Sequence, residues 1–282
     1  MKYSHAAAAL KKRSAVLRSH ILDMMPPGKA GHLGGSCSIA DVTAVLYFHH
    51  MNINEKDPKD PKRDRLVFSK GHAVLAQYAA LVEIGYIDRK EISKIKSLGG
   101  VLQGHPDMKT PGIEAVTGSL GQGLSVSVGM ALGLRMDGSR ARVFTICGDG
   151  ELAEGQIWEA AMTASVYKTD NITAVVDWNG IQSTGRLSEV FSIDRIAEKW
   201  ESFGWHVIDI DGHDIPSIID ALEEADRITG KPAVILARTV KGKGFPFAED
   251  SAAFHNAALD EQQFKAGREA VEQMMKEAKD EV

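Results

Sequence analysis

Two short polar segments of the sequence carry oxygen ligands of the kind that hard metal ions prefer. Asp149 stands between Gly148 and Gly150, directly after an apolar run, and Asn179 follows another apolar run about thirty residues later. That distance is the usual length of a β-α-β unit. Because neighbouring parallel strands lie about 5 Å apart, Asp149 and Asn179 can reach one ion together with the backbone carbonyl of Ile181. A carboxylate, an amide and a carbonyl suit Mg²⁺ or Ca²⁺, with phosphate oxygens and water completing the coordination.

Each of these segments could also be an ordinary turn, in which Asp or Asn is used for local hydrogen bonds. The occurrence of both, on consecutive predicted strands, favours a metal–diphosphate site instead. Gly148 and Gly150 would let the backbone approach phosphate groups closely, and the helix that follows would present its positive N-terminal end to them. Residue types and spacing therefore predict a phosphorylated ligand that is bound through a divalent metal.

Apolar strands and helices alternate through most of the chain, and this order positions the two segments. Strands are predicted over residues 65–69, 143–147, 172–177, 206–210 and 233–238, and helices over residues 153–167, 193–203 and 215–228. Such alternation is typical of an α/β fold, a doubly wound and mostly parallel sheet with helices on both faces. Ligands of such sheets bind beyond the carboxyl ends of the strands, which is where Asp149 and Asn179 lie.

Helical segments are predicted before and after this α/β unit. The chain has helical periodicity up to Met25, and a second helix is expected over residues 38–52. The C-terminal part predicts a helix that begins with Asp260 and Gln263 as a capping pair. Because no internal repeat or linker is evident, we expect a single domain over residues 1–282 with helical extensions at both ends.

Composition excludes several classes of partner. The chain has 282 residues, of which 44% are hydrophobic and 25% are charged, as in ordinary globular proteins. A net charge of −5 without a basic stripe argues against nucleic acid. No apolar run is long enough to cross a membrane, and the order of charges near the N-terminus does not fit a signal peptide. Cys37 and Cys147 lie far apart, as suits a reducing compartment rather than a zinc site. We expect a cytoplasmic protein.

Further motifs resemble those of the thiamine diphosphate-binding half of transketolases. The pattern of Gly148-Asp149-Gly150 followed by Asn179 resembles the thiamine diphosphate motif, and GDGELAEG over residues 148–155 looks like its transketolase form. Other similar blocks follow the family order across nearly the whole chain. They are Lys29-Ala30-Gly31-His32, DRLVFSKGHA over residues 64–73, Gly104-His105-Pro106, TGSLGQG over residues 117–123, and His255. One block alone would be weak evidence, but the ordered set identifies the chain as similar to this family.

The resemblance implies a role for each matching position of the cofactor site. It implies that Asp149, Asn179 and the carbonyl of Ile181 bind Mg²⁺ or Ca²⁺. Thiamine diphosphate itself would contact His72, Gly118, Leu120, Gly150, Glu154, Ile181 and His255. Within this set the histidines and the amide of Gly150 would bind the diphosphate, while Gly118 and Leu120 would contact the aminopyrimidine. Glu154, with Glu159, also matches glutamates that link paired active sites.

His32 and His105 are the catalytic positions that the resemblance implies, because they match histidines that face the sugar substrate. An imidazole can orient hydroxyl groups and move protons near neutral pH. Taken without the surrounding motifs, each would be read as a loop histidine that caps a backbone carbonyl.

The resemblance further implies a second polypeptide. In the family, this domain is followed by a pyrimidine-binding domain, which carries the glutamate that activates the cofactor. We therefore expect the N-terminal subunit of a two-chain transketolase, which transfers a two-carbon ketol unit from a ketose phosphate to an aldose phosphate in the pentose phosphate pathway. A C-terminal subunit would supply the pyrimidine-binding domain and its glutamate, and the assembly would be a heterotetramer.

Other functions remain open or are disfavoured. A split enzyme could act on an unusual sugar, such as a sulfo-sugar or a branched pentose derivative, and a non-catalytic cofactor-binding subunit is a further alternative. Gly104-His105-Pro106 argues against 1-deoxyxylulose-5-phosphate synthase. The glycine order over residues 118–123 does not fit a nicotinamide dinucleotide site. The turn from Lys241 to Gly244 departs from the more apolar turn of many transketolases.

Overall fold

Five parallel strands form the central sheet of the protein, whose computed structural model describes residues 3–280. The strands of the structure are β1 (Ala30–Gly31), β2 (Arg65–Phe68), β3 (Val143–Gly148), β4 (Ile172–Trp178), β5 (His206–Asp211), β6 (Ala233–Arg238) and β7 (Ala257–Ala258). The central sheet has the order β2-β3-β4-β6-β5, and β1 pairs with β7 in a separate antiparallel ribbon. The predicted parallel sheet is confirmed, with β6 inserted between β4 and β5.

The helices cover both faces of this sheet. They are α1 (Ser4–Asp23), α2 (Leu33–Ser38), α3 (Ala40–Val45), α4 (Val74–Glu83), α5 (Gln122–Met136), α6 (Gly155–Val166), α7 (Leu187–Val190), α8 (Ile196–Ser202), α9 (Ile215–Arg227) and α10 (Glu261–Asp280). Short 3-10 turns over residues Gly71–Ala73 and Gly150–Ala153 follow the ends of β2 and β3. None of the helices in this described part of the chain is both long and apolar enough to cross a membrane.

Alternate residues of the strands pack into two separate cores. In β3, Phe144 and Ile146 belong to the core under α1, α3, α4 and α9, whereas Val143 and Cys147 belong to the core under α5, α6 and α8. Side chains of a strand alternate between the faces of a sheet, so this division is what a sheet covered on both sides requires. The doubly wound α/β class predicted from the sequence is therefore confirmed.

The predicted helix over residues 38–52 differs from the structure. Helical structure begins earlier, at Leu33, breaks at Ile39 between α2 and α3, and ends in a π-helical turn over Leu46–His50. At the break, the Ser38 hydroxyl bonds to the carbonyl of Gly35 at 3.1 Å and to the carboxylate of Asp177 at 2.5 Å. A serine side chain that bonds to nearby backbone competes with helix continuation.

At the other end of the chain, the predicted cap of α10 is present, because the backbone N–H of Gln263 donates to Asp260 Oδ1 at 2.7 Å.

A buried ion pair links the N-terminal helices to the turn that follows β6. Arg18 donates to both oxygens of Asp41, at 2.9 and 2.7 Å, and its Nε donates to the carbonyl of Lys243 at 2.8 Å. His213 donates from Nδ1 to Asp41 at 2.7 Å and accepts the N–H of Val240 at Nε2 at 2.9 Å. Burial alone would raise the pKa of Asp41, but Arg18 and then His213 hold that pKa well below its ordinary value.

Replacing Arg18 tests how much this ion pair stabilises the fold. We expect Arg18→Met to lower the free energy of unfolding by about 3 kcal/mol, because the buried carboxylate of Asp41 loses its main partner. The measurement is urea unfolding followed by circular dichroism. Lys90→Met is the matched control, since Lys90 pairs with Asp88 at the surface and its loss should leave the unfolding midpoint unchanged. Equal stability of the two variants would contradict the role given to Arg18.

Candidate active site

A cavity of about 250 Å³ opens at the carboxyl ends of the central strands. It is lined by all but one of the residues that the sequence predicts for the site, namely His32, His72, His105, Gly118, Leu120, Asp149, Gly150, Asn179, Ile181 and His255. These residues come from segments that are far apart in sequence. Those that follow β2, β3 and β4 meet because the strand ends of a parallel sheet lie along one edge, and the connections around His32, His105 and His255 bring the others to the same place.

The two predicted metal-binding segments are joined directly by a hydrogen bond. Asp149 follows β3 and accepts the N–H of Gly150 at 2.7 Å and the N–H of Gly180, beyond the end of β4, at 2.5 Å. Gly148 is paired in register with Asp177, so the ends of the two strands are level. Burial, followed by the charge of Asp177, raises the pKa of Asp149 to about 6. A cation beside this carboxylate would favour its ionised form.

Asn179 is oriented by the carboxylate of Asp177. Its Nδ2 donates to Asp177 Oδ2 at 3.0 Å, and its Oδ1 accepts the N–H of Ile181 at 3.1 Å. Asp177 is fully buried and also accepts hydrogen bonds from Lys70 and from Thr239. Since Asp177 can only accept, the amide nitrogen of Asn179 must face it, and the amide oxygen stays on the side of Ile181 and available to a metal.

The carbonyl of Ile181 accepts a hydrogen bond from a lysine. The ammonium of Lys241 donates to this oxygen at 2.9 Å. Burial, followed by the charge of Lys70, lowers the pKa of Lys241 to about 8, so it is mostly charged at neutral pH. Among residues 3–280, no three side chains of His, Cys, Asp or Glu are arranged to bind a metal on their own. A metal here would therefore use Asp149, Asn179 and this carbonyl together with oxygens of its ligand, which suits Mg²⁺ bound to a diphosphate.

Four imidazoles that line the cavity lie close to one another. The ring of His32 lies 5.3 Å from His72, 5.7 Å from His105 and 5.6 Å from His255, and the rings of His72 and His255 are 4.9 Å apart. Burial is the main cause that lowers the pKa of His72 to about 2 and the pKa values of His32 and His255 to about 4. Burial also lowers the pKa of His105. All four rings are therefore neutral at pH 7, so each has one nitrogen that donates and one that accepts.

Two buried polar atoms of the cavity residues have no hydrogen-bond partner within the described part of the chain. They are Nδ1 of His255 and Nε2 of Gln182. Unpaired polar groups are costly to bury, so a ligand with acceptor oxygens would satisfy both. Together with Lys70, Lys241 and the backbone amide of Gly150, they form the type of surrounding that a diphosphate needs. We conclude that the residues present fit a metal-bound diphosphate.

Gly118 shows why one glycine of the predicted motif is required. Its φ is +138°, a conformation that favours glycine, and a Cβ at this position would lie 2.8 Å from Cδ2 of His105. A larger residue would displace the imidazole from the cavity. The motif over residues 117–123 and the motif around His105 are therefore coupled by packing.

Glu154 is the predicted cofactor-binding residue that does not line the cavity. It is exposed at the N-terminus of α6, and its cofactor role stays a prediction, as does the pairing role given to it and to Glu159. The neighbouring Glu151 is buried in the cavity wall instead. Its carboxylate accepts from the Ser69 hydroxyl at 2.5 Å and from the Gly121 amide at 2.8 Å. Glu151 thereby joins the end of β2 to the glycine loop before α5.

Several lining residues received no role from the sequence. They are Gly35, Lys70, Glu151, Gln182, Ser183 and Lys241. Lys70, Gln182 and Lys241 follow the ends of β2, β4 and β6 by a few residues, so the rule that ligands bind at strand ends pointed to them. Lys70 also lies within the motif over residues 64–73, whereas nothing in the local pattern distinguished Gln182 and Lys241 from an ordinary loop amide and an ordinary surface lysine.

Comparison with known proteins identifies the family. Residues 10–277 match the family model for the thiamine diphosphate binding domain of transketolase. The chain is 45% identical to the 6-deoxy-6-sulfo-D-fructose transketolase subunit SqwG of Clostridium sp. (strain MSTE9), covering 95% of this chain and 97% of that one. It is 39% identical to an apulose-4-phosphate transketolase subunit of Phocaeicola vulgatus, covering 95% of both chains.

The fold is shared with a solved transketolase structure. Transketolase from Campylobacter jejuni superposes with a TM-score of 0.88 at 32% identity, and the match covers 94% of this chain but 43% of that one. The chain thus spans less than half the length of that solved transketolase. The predictions of a transketolase-type transferase and of thiamine diphosphate as the cofactor are confirmed. On this evidence, the chain belongs to the transketolase family and corresponds to its thiamine diphosphate-binding domain.

Proposed function

We propose that this chain is the N-terminal subunit of a two-chain transketolase, which transfers a two-carbon ketol unit from a ketose to an aldose. The observation that carries the proposal is the position of the histidine cluster beside Asp149 and Asn179 in one cavity. This arrangement brings a site for a metal-bound diphosphate next to groups that can handle sugar hydroxyls. Near full-length similarity to two proteins that are named as transketolase subunits supports the two-chain form.

In the proposed site, this chain binds the diphosphate end of the cofactor. Asp149, Asn179 and the carbonyl of Ile181 would bind Mg²⁺ or Ca²⁺, with Lys241 giving up its bond to that carbonyl. The freed ammonium of Lys241 would then neutralise charge on the diphosphate, and His72 and His255 would donate hydrogen bonds to its oxygens. When bound, thiamine diphosphate supplies the carbanion chemistry of ketol transfer.

The remaining cavity residues act on the organic parts of the ligands. Gly118 and Leu120, which also line the cavity, would contact the aminopyrimidine, as the resemblance of their motif to the family implies. His32 and His105 would orient the hydroxyl groups of the sugar and move protons on and off them. Their neutral state at pH 7 suits this task, since a neutral imidazole can accept a proton at one nitrogen and donate one at the other.

A C-terminal subunit would complete the site with a pyrimidine-binding domain and the glutamate that activates the cofactor. We propose a heterotetramer in which residues 1–282 form one domain in each of two copies. Exposed apolar side chains on the adjacent helices α5 and α6 support close pairing of subunits, namely Val126, Met136, Met162 and Val166. We also propose a cytoplasmic location, which the two free, buried thiols support.

Two classes of ketose are candidates for the donor sugar. An ordinary donor would be a ketose of the pentose phosphate pathway. The relatives favour an unusual ketose, because one is named for a sulfonated fructose and another for apulose 4-phosphate. Both named sugars carry an anionic terminal group. We therefore propose a ketose with a terminal phosphate or sulfonate as the substrate class.

Reconstitution tests the two-chain assignment and the donor together. This chain is co-expressed with a C-terminal transketolase subunit from the same genome, and ketol transfer is measured with thiamine diphosphate and Mg²⁺. The donors are xylulose 5-phosphate, 6-deoxy-6-sulfo-D-fructose and apulose 4-phosphate, with either chain on its own as a control. We expect activity only in the mixture, and a complex of two copies of each chain by light scattering. A complex that binds cofactor but turns over no donor would favour a non-catalytic subunit.

Asp149→Ala tests the proposed metal ligand. We expect the affinity of the assembled complex for thiamine diphosphate at fixed Mg²⁺ to fall by at least about 100-fold, since even changes to residues that only support metal ligands cost about 10–100-fold. The measurement is quenching of tryptophan fluorescence by the cofactor over a range of Mg²⁺ concentrations. Glu201→Ala, which removes an exposed carboxylate from α8, is the control and should bind normally. Unchanged affinity in the Asp149 variant would refute the metal role.

His105→Ala separates sugar chemistry from cofactor binding. We expect the variant to bind thiamine diphosphate normally and to transfer ketol units roughly 100-fold more slowly, because an acid–base group has been removed. Single-turnover and steady-state rates of the assembled enzyme provide the measurement. His206→Ala is the control, since His206 pairs with Glu224 outside the cavity. A normal rate in the His105 variant would show that this residue has no part in the reaction.

A further inference from the structure

Lys96 has an unusual backbone conformation next to the cavity. It follows the 3-10 segment Arg89–Lys94 and has a φ of +56°, in the left-handed region that lysine rarely adopts. Its N–H donates to the carbonyl of Leu102 at 2.9 Å, which closes a short loop before His105. Strained residues of this kind persist where their surroundings determine the conformation, and they are frequent at functional sites.

The side chain of Lys96 spans the gap between two segments of the cavity wall. Its ammonium donates to the carbonyl of Ala30 at 2.6 Å, two residues before His32. Its Cε lies 3.2 Å from the point where a Cβ on Gly104 would be, and the three atoms nearest to that point outside residues 103–105 all belong to Lys96. The aliphatic part of Lys96 therefore passes over Gly104, which directly precedes His105.

A second lysine also joins these two segments, but it belongs to the segment that carries His32. Lys29, in the segment before His32, donates from its ammonium to the carbonyl of Ile95 at 2.7 Å. The segment 29–32 and the segment 95–105 are thus joined by two lysine–carbonyl bonds, one in each direction. Of the two lysines, Lys96 is the one whose side chain also contacts the residue next to His105.

We propose that Lys96 is a positioning residue for ketol transfer, which holds the segment carrying His32 against the segment carrying His105. The proposal rests on the proposed function for the roles of the two histidines. Lys96 would act through them, since its own side chain bonds to backbone and does not line the cavity. The separation of 5.7 Å between the two imidazoles is the quantity that it would maintain.

The charge of Lys96 gives a signature that a purely structural role would lack. Burial is the largest cause of the lowered pKa of His105, and the positive charge of Lys96 is the next largest. The pKa of His32 is lowered first by burial and then by the charges of His255, His105, Lys96 and Lys241. The ring of His72 also faces His32. Removing the positive charge of Lys96 favours the protonated imidazoles, so both pKa values should rise. His105 should respond more strongly, because it has fewer other cationic neighbours.

The test compares Lys96→Met with Lys94→Met and Lys96→Arg in the assembled enzyme. For Lys96→Met we expect a roughly tenfold lower kcat, an unchanged affinity for thiamine diphosphate, and a shift of the acid limb of the rate profile to higher pH. Lys96→Arg keeps the charge and the donor and should restore most of the rate. Lys94→Met is the matched control, because Lys94 is a nearby exposed lysine that pairs with Glu91. A wild-type rate and pH profile in Lys96→Met would overturn the proposal.

A measurement on the chain itself separates this proposal from the proposed function. Histidine resonances of the full chain are titrated by NMR in the wild type, Lys96→Met and Gly104→Ala. We expect raised pKa values for His105 and His32 in Lys96→Met. In Gly104→Ala, whose new methyl group meets Lys96, we expect shifted resonances of His105 with a smaller change in pKa. Unchanged titrations in both variants would overturn the role of Lys96. If the wild-type complex transfers no ketol unit, the proposed function fails and these titrations alone decide whether the Lys96 connection exists.

Discussion

The active-site end of this protein depends on one buried negative charge, the carboxylate of Asp177 near the end of β4. A carboxylate can be buried only when it is paired and hydrogen-bonded. Asp177 meets this requirement with Lys70 after β2, Thr239 after β6, Ser38 at the end of α2, and Asn179 two residues further along the chain. Segments from four parts of the chain are therefore held at one edge of the sheet by a single group.

The same carboxylate sets the chemistry of the site. It orients the amide of Asn179, and after burial it is the main cause of the raised pKa of Asp149. Lys70 pairs with Asp177, and Lys241 lies near both carboxylates, so the strand ends contain charges of both signs before any ligand binds. Such preorganisation lowers the cost of binding a metal–diphosphate, because among these charged groups only Lys241 has to exchange a hydrogen bond, the one to the carbonyl of Ile181. The histidines of the cavity remain neutral, which leaves them able to exchange protons with a sugar.

Much of this arrangement followed from local patterns. The placement of Asp149 and Asn179 on consecutive strands was predictable, because parallel strands of a β-α-β unit end at the same edge. The periodicity of the strands and the glycine-rich motifs also determined the fold class and the family. Local patterns were less informative about helix boundaries, as at Ile39, where the helix breaks beside Ser38, whose hydroxyl bonds to the backbone of Gly35 and to Asp177.

Tertiary structure alone decided which further side chains reach the cavity. Lys241 lies there because β6 inserts between β4 and β5, and this strand order results from long-range packing that no local periodicity encodes. The contrast between buried Glu151 and exposed Glu154 depends on the 3-10 turn after β3, which directs the first inward and leaves the second at the surface. The sequence by itself therefore determined the family, the cofactor and the candidate metal ligands, since these reside in short motifs. The surrounding charges and the connection through Lys96 required the folded chain, because they arise between residues that are distant in sequence.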